Sequence, residues 1–457
     1  MSFKSLNLAD DLLSNLETLE YHKMTPIQAK SLPLILEGKD IIGQAKTGSG
    51  KTAAFGLGLL SNLDVSLLQV QALIICPTRE LAEQVANELR RLARQTQNIK
   101  IVSTCGGTSE SLQKKSLAHG AHIIVGTPGR VLKFLKTEKI VLNHLNTFVL
   151  DEADKMLDMG FLDDIKIIYK YLPPKRQSLL FSATFPEQIE ALCSLLLKNA
   201  HTVKVDVAHK KDAIKQYFYR VEGHPKKMDC LKQLLAVYKP ESTVVFCKTK
   251  QTCDDVVQYL SDNKIAAIAI HGDHEQKYRT LALTKFSNGS CLILVATDVA
   301  ARGLDIKGLN AVVNFDLGAN PDVHTHRIGR TGRQDNAGLA LSLYVEQEYF
   351  KLAAIQKHQG NKITIKEASN ISDSKPFSLK PRMTTLYISG GRKSKIRPGD
   401  IVGAILGYCK IDAKCIGDIN ILDALSYVAV ESRFAEQIIA ALNDGKIKKQ
   451  RFRVGKA

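Results

Sequence analysis

Short apolar runs alternate with longer amphipathic stretches through most of this chain, and that alternation leaves few folds open. In the first 205 residues, the runs at 40–43, 72–76, 99–105, 122–126, 147–150 and 177–182 read as strands. Between them lie stretches such as 79–94, with apolar residues at helical spacing. Strand–helix alternation predicts a parallel sheet with helices on both faces. The pattern resumes after about residue 214, with strands expected at 217–221, 242–247, 266–271, 291–296 and 311–315. Two α/β domains in tandem are therefore expected, over 1–206 and 214–366.

A second joint, 367–382, is rich in Ser, Asn, Lys and Pro and lacks periodicity, so it reads as a flexible linker. Residues 383–457 follow in the order strand, helix, strand, strand, helix, strand. That β-α-β-β-α-β order predicts a small α+β domain of the ferredoxin-like group, which includes the RNA-recognition motif. Three domains suit 457 residues at about 150 per domain.

Hydrophobic residues at 44% and charged residues at 24% are ordinary for globular protein and exclude a mostly disordered chain. No apolar run approaches the roughly 20 residues of a membrane span. The first ten residues carry no basic segment followed by an apolar core, so no secretory signal is expected. The nine cysteines form no CxxC and no zinc spacing with histidine, which suits reduced core residues in a cytoplasmic protein.

Charge points to a polyanion. Lys and Arg number 63 against 46 Asp and Glu, an excess of 17. Residues 374–457 hold 16 Lys and Arg against 7 Asp and Glu, an excess of nine in 84 residues. A basic C-terminal module of that kind fits nucleic acid before membrane.

Three motifs carry chemistry. Ala45-Lys46-Thr47-Gly48-Ser49-Gly50-Lys51-Thr52 follows an expected strand and opens an apolar helix. Such a loop closes backbone N–H groups around phosphates at a helix N-terminus. Lys51 would reach the β- and γ-phosphates of ATP and Thr52 would hold Mg²⁺. Asp151-Glu152-Ala153-Asp154 follows the run at 147–150. Asp151 is expected to bind Mg²⁺ partly through water, and Glu152 to orient and deprotonate the attacking water. His326-Arg327-Ile328-Gly329-Arg330-Thr331-Gly332-Arg333 places Arg330 and Arg333 three residues apart. Their guanidinium groups are expected to clamp a γ-phosphate in the manner of arginine fingers.

With these motifs in order, the chain resembles the DEAD-box ATP-dependent RNA helicases over about residues 3–365. Met24-Thr25-Pro26-Ile27-Gln28 resembles the adenine-sensing motif of that family, with Phe3 at the upstream aromatic position and Glu20 where the family has Gly. The resemblance implies two RecA-like domains, with Phe3, Gln28 and Asp305 joining the loop residues at ATP. It implies RNA-backbone contacts from Arg79, Gly106, Gly107, Thr127 and Arg130 in the first domain, and from Gln276, Arg279 and Thr297 in the second. It also implies that Ser182 and Thr184, in Ser182-Ala183-Thr184, couple ATP state to unwinding. An amide such as Gln28 has a donor and an acceptor for adenine N6 and N7, and Phe3 offers a stacking face. Backbone and threonine groups bond phosphates without reading bases.

The C-terminal domain is then expected to supply the RNA address. Tyr427 is the candidate for base stacking, and Lys393, Lys395, Arg397, Lys448 and Lys449 for phosphate contact. Core and tail together resemble bacterial members of the family whose tail binds a 23S ribosomal RNA hairpin. The implied role is assembly of the 50S subunit, acting as a monomer on assembly intermediates. An unwinding enzyme and an ATP-gated RNA clamp would use the same motifs.

Overall fold

The computed structural model describes residues 1–457 except 46–47, 206–213, 302–307, 333–337, 361–362, 372–376 and 378. The chain divides into two compact units that part near residue 208. The joint expected between the α/β domains falls mostly outside the described residues.

The first unit is built on seven parallel strands: β1 (Ile41–Gln44), β2 (Ala72–Ile75), β3 (Ile101–Thr104), β4 (Ile123–Gly126), β5 (Thr147–Asp151), β6 (Gln177–Ser182) and β7 (His201–Lys204). Their spatial order is β3-β4-β2-β5-β6-β1-β7. The central strands are buried on both faces, which is why they read as continuous apolar runs. Alternate side chains feed two cores. Ile74, Val149 and Leu179 enter one, and Leu73, Phe148, Leu150 and Leu180 enter the other. The edge strand β7 shows the opposite pattern, with only Val203 buried. Its four residues lack an apolar run, so periodicity did not reveal it.

The second unit repeats the plan with β8 (Ile214–Arg220), β9 (Thr243–Cys247), β10 (Ala267–Ile270), β11 (Ile293–Thr297), β12 (Ala311–Asn314), β13 (Gly338–Tyr344) and β14 (Thr364–Glu367). The order is β10-β11-β9-β12-β13-β8-β14, again all parallel. Strands β13 and β14 were not anticipated. The segment read as a flexible linker is partly structured against this domain. Glu367 ends β14, and Ala368, Ile371, Phe377 and Leu379 pack on the core. Their apolar side chains explain the departure, because burial outweighs the freedom of a polar tether.

The same unit carries the C-terminal domain, with strands β15 (Met383–Ile388), β16 (Ile416–Ile421), β17 (Ser426–Glu431) and β18 (Val454–Lys456). They pair antiparallel in the order β16-β17-β15-β18. Leu386, Ile388, Val428 and Val430 share one core with Ile401 and Ile405 of the Pro398–Cys409 helix and Ile438 of the Ala435–Asp444 helix. Thr385, next to Leu386 and so on the opposite face, bonds instead to the second α/β domain. Its hydroxyl lies 2.8 Å from Ser290 Oγ and 2.9 Å from Asn288 Nδ2. Asn420 Nδ2 of β16 donates to Thr284 Oγ1 at 3.3 Å. One sheet face therefore packs on its own helices and the other meets the neighbouring domain.

Among the described residues, no helix is long and apolar enough to cross a membrane. All nine cysteines are buried thiols, as their positions in apolar runs suggested.

Candidate nucleotide site and RNA-binding residues

Parallel strands deliver their following turns to one edge of a sheet, and the first sheet uses that edge for every motif it carries. Three adjacent strands serve the nucleotide motifs. β1 leads into the phosphate loop, β5 ends on Asp151, and β6 ends on Ser182. Ala45 N–H donates to the Ser182 carbonyl at 3.1 Å, tying the loop's start to β6. Lys46 and Thr47 lie outside the described residues. Gly48 and Gly50 have φ of 81° and 95°, in the left-handed region that glycine tolerates. A Cβ on Gly50 would stand 2.6 Å from Gln28 Nε2 and 3.0 Å from Thr25 Oγ1, so the expected adenine-sensing segment crowds that position as well.

Lys51 opens the Lys51–Ser61 helix and is 6% exposed. Its Nζ lies 3.9 Å from Asp151 Oδ1, beyond hydrogen-bond reach. Lys51 Nζ, Asp151 Oδ1 and Ser49 Oγ are all buried without a hydrogen-bond partner. Buried polar groups left unbonded cost about 1–3 kcal/mol each, so this cluster fits phosphate and a divalent cation as missing partners. Thr52, beside Lys51, is half-buried. Burial pushes the Asp151 carboxyl up to about 6, against the opposing pull of Lys51.

Glu152 sits at φ 58°, turning the chain sharply into the Ala153–Asp158 helix. Its carboxylate accepts a bond from buried Lys155 Nζ at 2.7 Å. Asp154 joins this segment to the proposed coupling residues. Its Oδ2 accepts both the backbone N–H and the hydroxyl of Thr184 at 2.9 Å, and its own N–H donates to Ser182 Oγ at 3.2 Å. Asp154 and Lys155 were not picked out as site residues from sequence. Their spacing from Glu152, two and three residues on a short helix, was the available signal.

The expected adenine contacts are differently engaged. Gln28 Oε1 accepts the Thr25 N–H at 2.8 Å, and Nε2 donates to the Gly50 carbonyl at 3.1 Å. Both ends of the amide bond within the protein, linking the expected adenine-sensing segment to the phosphate loop. Phe3 is 3% exposed, with its ring edge-on to Tyr21 at 6.2 Å. It packs the core here, with no open stacking face. Asp305 and Arg333 lie outside the described residues.

The expected RNA contacts of the first unit follow β2, β3 and β4, the other half of the sheet. Arg79 heads the Arg79–Leu92 helix, and its guanidinium lies over Gly106 and Gly107. A Cβ on Gly107 would overlap that guanidinium at 1.8 Å. Thr127 caps the Pro128–Lys136 helix, and Arg130 donates to Gln113 Oε1 at 3.3 Å. In the second unit Gln276 and Arg279 lie in the first turn of the Gln276–Ser287 helix after β10, and buried Thr297 ends β11. Arg330 follows the Pro321–Ile328 helix. Arg327, three residues earlier, is buried and donates to both Asp298 oxygens at 2.6 and 2.7 Å and to the Asp316 carbonyl at 2.6 Å. That anchoring role was missed, because a basic motif does not show which arginine the core takes.

Tyr427 requires a correction. It is 4% exposed and pairs with Tyr387 across β17 and β15, on the side of the sheet that Thr385 presents to the second α/β domain. It is packing, not an open platform for bases, because a neighbouring domain covers that side. The five basic candidates fare differently. Lys448 Nζ donates to the Lys395 carbonyl at 2.7 Å and lies 3.7 Å from Asp400 Oδ2, so stretches some 50 residues apart meet. Lys393 lies in the same short turn as Arg392, and Arg397 caps the Pro398–Cys409 helix. Lys395, Lys448 and Lys449 all have positive φ, an uncommon backbone state for lysine.

Comparison with known proteins agrees with this geometry. Residues 25–192 match the DEAD/DEAH box helicase family, 226–335 the helicase conserved C-terminal domain, and 385–456 the DbpA RNA binding domain. The ATP-dependent RNA helicase DbpA of Escherichia coli (strain K12) is 48% identical over 99% of both chains. The DEAD-box ATP-dependent RNA helicase CshA of Bacillus subtilis is 43% identical over 78% of this chain and 72% of its own. The structure of S. cerevisiae Dbp5 bound to RNA and ADP BeF3 superposes with a TM-score of 0.73 at 32% identity, covering 81% of this chain and 96% of that one. The chain belongs to the DEAD-box ATP-dependent RNA helicases, RNA-stimulated ATPases built on two RecA-like domains, and it carries a DbpA RNA binding domain at its C-terminal end.

Proposed function

We propose that the protein unwinds or remodels short ribosomal RNA duplexes during assembly of the 50S subunit, recruited to 23S rRNA by its C-terminal domain. It would act in the cytoplasm as a monomer. The observation that carries this reading is the meeting of the two basic stretches, around Lys395 and Lys448, on a domain whose sheet face is occupied by its neighbour. Such a cluster leaves structured RNA to the loops, while the core motifs supply phosphate contacts that read no sequence.

Mg²⁺ bound through Thr52 and Asp151, partly through water, would neutralise charge on the phosphates of ATP. Lys51 holds the β- and γ-phosphates. Glu152 orients the attacking water and accepts its proton, with Lys155 fixing the carboxylate. Arg330 and Arg333 are assigned the charge that develops on the γ-phosphate. Asp154, bonded to Ser182 and Thr184, joins the acid motif to the coupling segment.

The test compares ATPase stimulation by 23S rRNA fragments and by poly(U). With Lys393, Lys395, Arg397, Lys448 and Lys449 all changed to glutamine, the chain should keep stimulation by poly(U) and lose its preference for the ribosomal fragment. Binding to that fragment should also lose part of its salt dependence. An unchanged preference overturns the targeting role. Strand release from a short duplex under multiple turnover supports unwinding, whereas retention of RNA without strand release supports a clamp.

A further inference from the structure

Outside these motifs and among the described residues, one group of side chains has the composition of a metal site. Asp254 lies on the Lys250–Asp262 helix, and His271 and His274 lie on the turn between β10 and the Gln276–Ser287 helix. One donor atom from each of the three lies within 4.8 Å of the other two. His271 is 3% exposed, and its Nε2 is 3.0 Å from Asp254 Oδ1. Its other nitrogen, Nδ1, is buried with no hydrogen-bond partner. The two imidazoles stack at 3.8 Å, and the His271 backbone N–H reaches His274 Nδ1 at a long 3.4 Å.

Each of these facts has a physical meaning. The His271 nitrogen that faces Asp254 is Nε2, so that nitrogen and the carboxylate oxygen 3.0 Å away are the pair that one ion could share. Two imidazoles and a carboxylate are the donor set that borderline divalent ions prefer, and calcium and magnesium prefer oxygen alone. Zinc–nitrogen bonds of about 2.0–2.1 Å fit donors this close after a small convergence of the rings. Three protein donors also leave a coordination position open. The neighbouring Asp273 is already paired with Lys250, so Asp254 supplies the charge.

We propose that Asp254, His271 and His274 form a site for a divalent transition metal of the Zn²⁺ class, clamping the turn after β10 to the Lys250–Asp262 helix. The ion adds to the two links that join turn and helix at this point, the His271–Asp254 bond and the Lys250–Asp273 pair. It lies two residues before Gln276, where the second unit's expected RNA contacts begin.

Calorimetric titration of Zn²⁺ into the full-length protein, without nucleotide, tests the site. Wild type should take up one equivalent, and the unfolding transition should rise as Zn²⁺ is added. His274→Gln and Asp254→Asn, both at accessible positions, should fold normally and bind at least about tenfold more weakly. Their unfolding transitions should then respond little to Zn²⁺. Co²⁺ in place of Zn²⁺ should give visible ligand-field bands without the near-ultraviolet charge transfer of thiolate ligation. Equal Zn²⁺ affinity in wild type and both variants, no uptake by wild type, or thiolate bands with Co²⁺ would each overturn the proposal. In the first two cases the cluster is a ring stack and a carboxylate–imidazole hydrogen bond only.

Discussion

The second sheet has the strand order of the first with seven added to every strand number. The likeness extends to the interior. After β1 a helix begins with buried Lys51, and after β8 a helix begins at Lys226, with Lys227 wholly buried. Near the ends of β5 and β12 stand Asp151 and Asp316. The two lysines nevertheless have different fates. Lys227 Nζ is 3.2 Å from both Asp316 Oδ1 and Glu348 Oε2, and the other Asp316 oxygen accepts the Lys248 N–H. Lys51 stands 3.9 Å from a single aspartate, and neither atom has a hydrogen-bond partner. One topology thus produces a buried lysine–aspartate pair twice. Saturating it makes a structural ion pair, and leaving it short makes a place for phosphate. A glycine-rich loop of the phosphate-binding kind leads into Lys51 and not into Lys227, which fits the difference.

The sharpest break of the comparison concerns what the second sheet contributes to chemistry once its own lysine is closed off. Arg330→Ala should lower turnover on the order of 10³-fold or more while ATP affinity changes little, since an arginine finger acts on the transition state. Steady-state kinetics beside equilibrium ATP binding measure this, and a loss confined to KM would place Arg330 in ground-state binding.

Changing the two lysines in parallel comes next. Lys227→Met leaves buried Asp316 without its cation, while half-buried Glu348 keeps Lys351, and should cost about 3–5 kcal/mol of stability. Lys51→Met should leave the denaturation midpoint nearly unmoved and cut ATP turnover on the order of 10²–10³-fold. Matching losses of stability in both variants would erase the distinction drawn here.

A smaller effect separates the sheets by pH. His324 of the second unit is buried against Phe218, with its Nε2 3.2 Å from Gln216 Oε1. Burial first, and the Arg327 charge second, hold its pKa down to about 4. The unfolded chain, near 6.5, then binds the proton in preference to the folded one. Stability from this group is full above about 6.5 and falls as pH drops through 4, by about 3 kcal/mol in all. His324→Gln should flatten that loss in denaturation of the second unit at pH 7 and pH 5. An equal loss in the variant would assign the acid sensitivity elsewhere.

Much of this was legible in the chain. Most central strands could be read because burial on both faces makes them continuous apolar runs. Buried β13 was nevertheless missed, as were the edge strands β7 and β14, whose exposed residues break the run. The phosphate loop and the acid motif are local, so glycine spacing and residue order revealed them. Asp154 and Arg327 stayed hidden because their partners, Thr184 and Asp298, lie about 30 residues away. Tyr427 misled because a tyrosine on a strand looks the same whether its face meets solvent or another domain.

The sequence by itself determined the repeated α/β plan, the nucleotide chemistry and the basic C-terminal module, since each rests on short-range pattern or composition. Only the tertiary structure decided that β1, β5 and β6, which precede the nucleotide motifs, lie side by side, and that β2, β3 and β4, which precede the expected RNA contacts, form the other half of the sheet. Strand order is set by crossovers that no local pattern encodes. It likewise decided which lysine is satisfied, which amide end is engaged and which sheet face is covered. Those outcomes depend on partners brought from far along the chain, and burial is a property of the assembled neighbours.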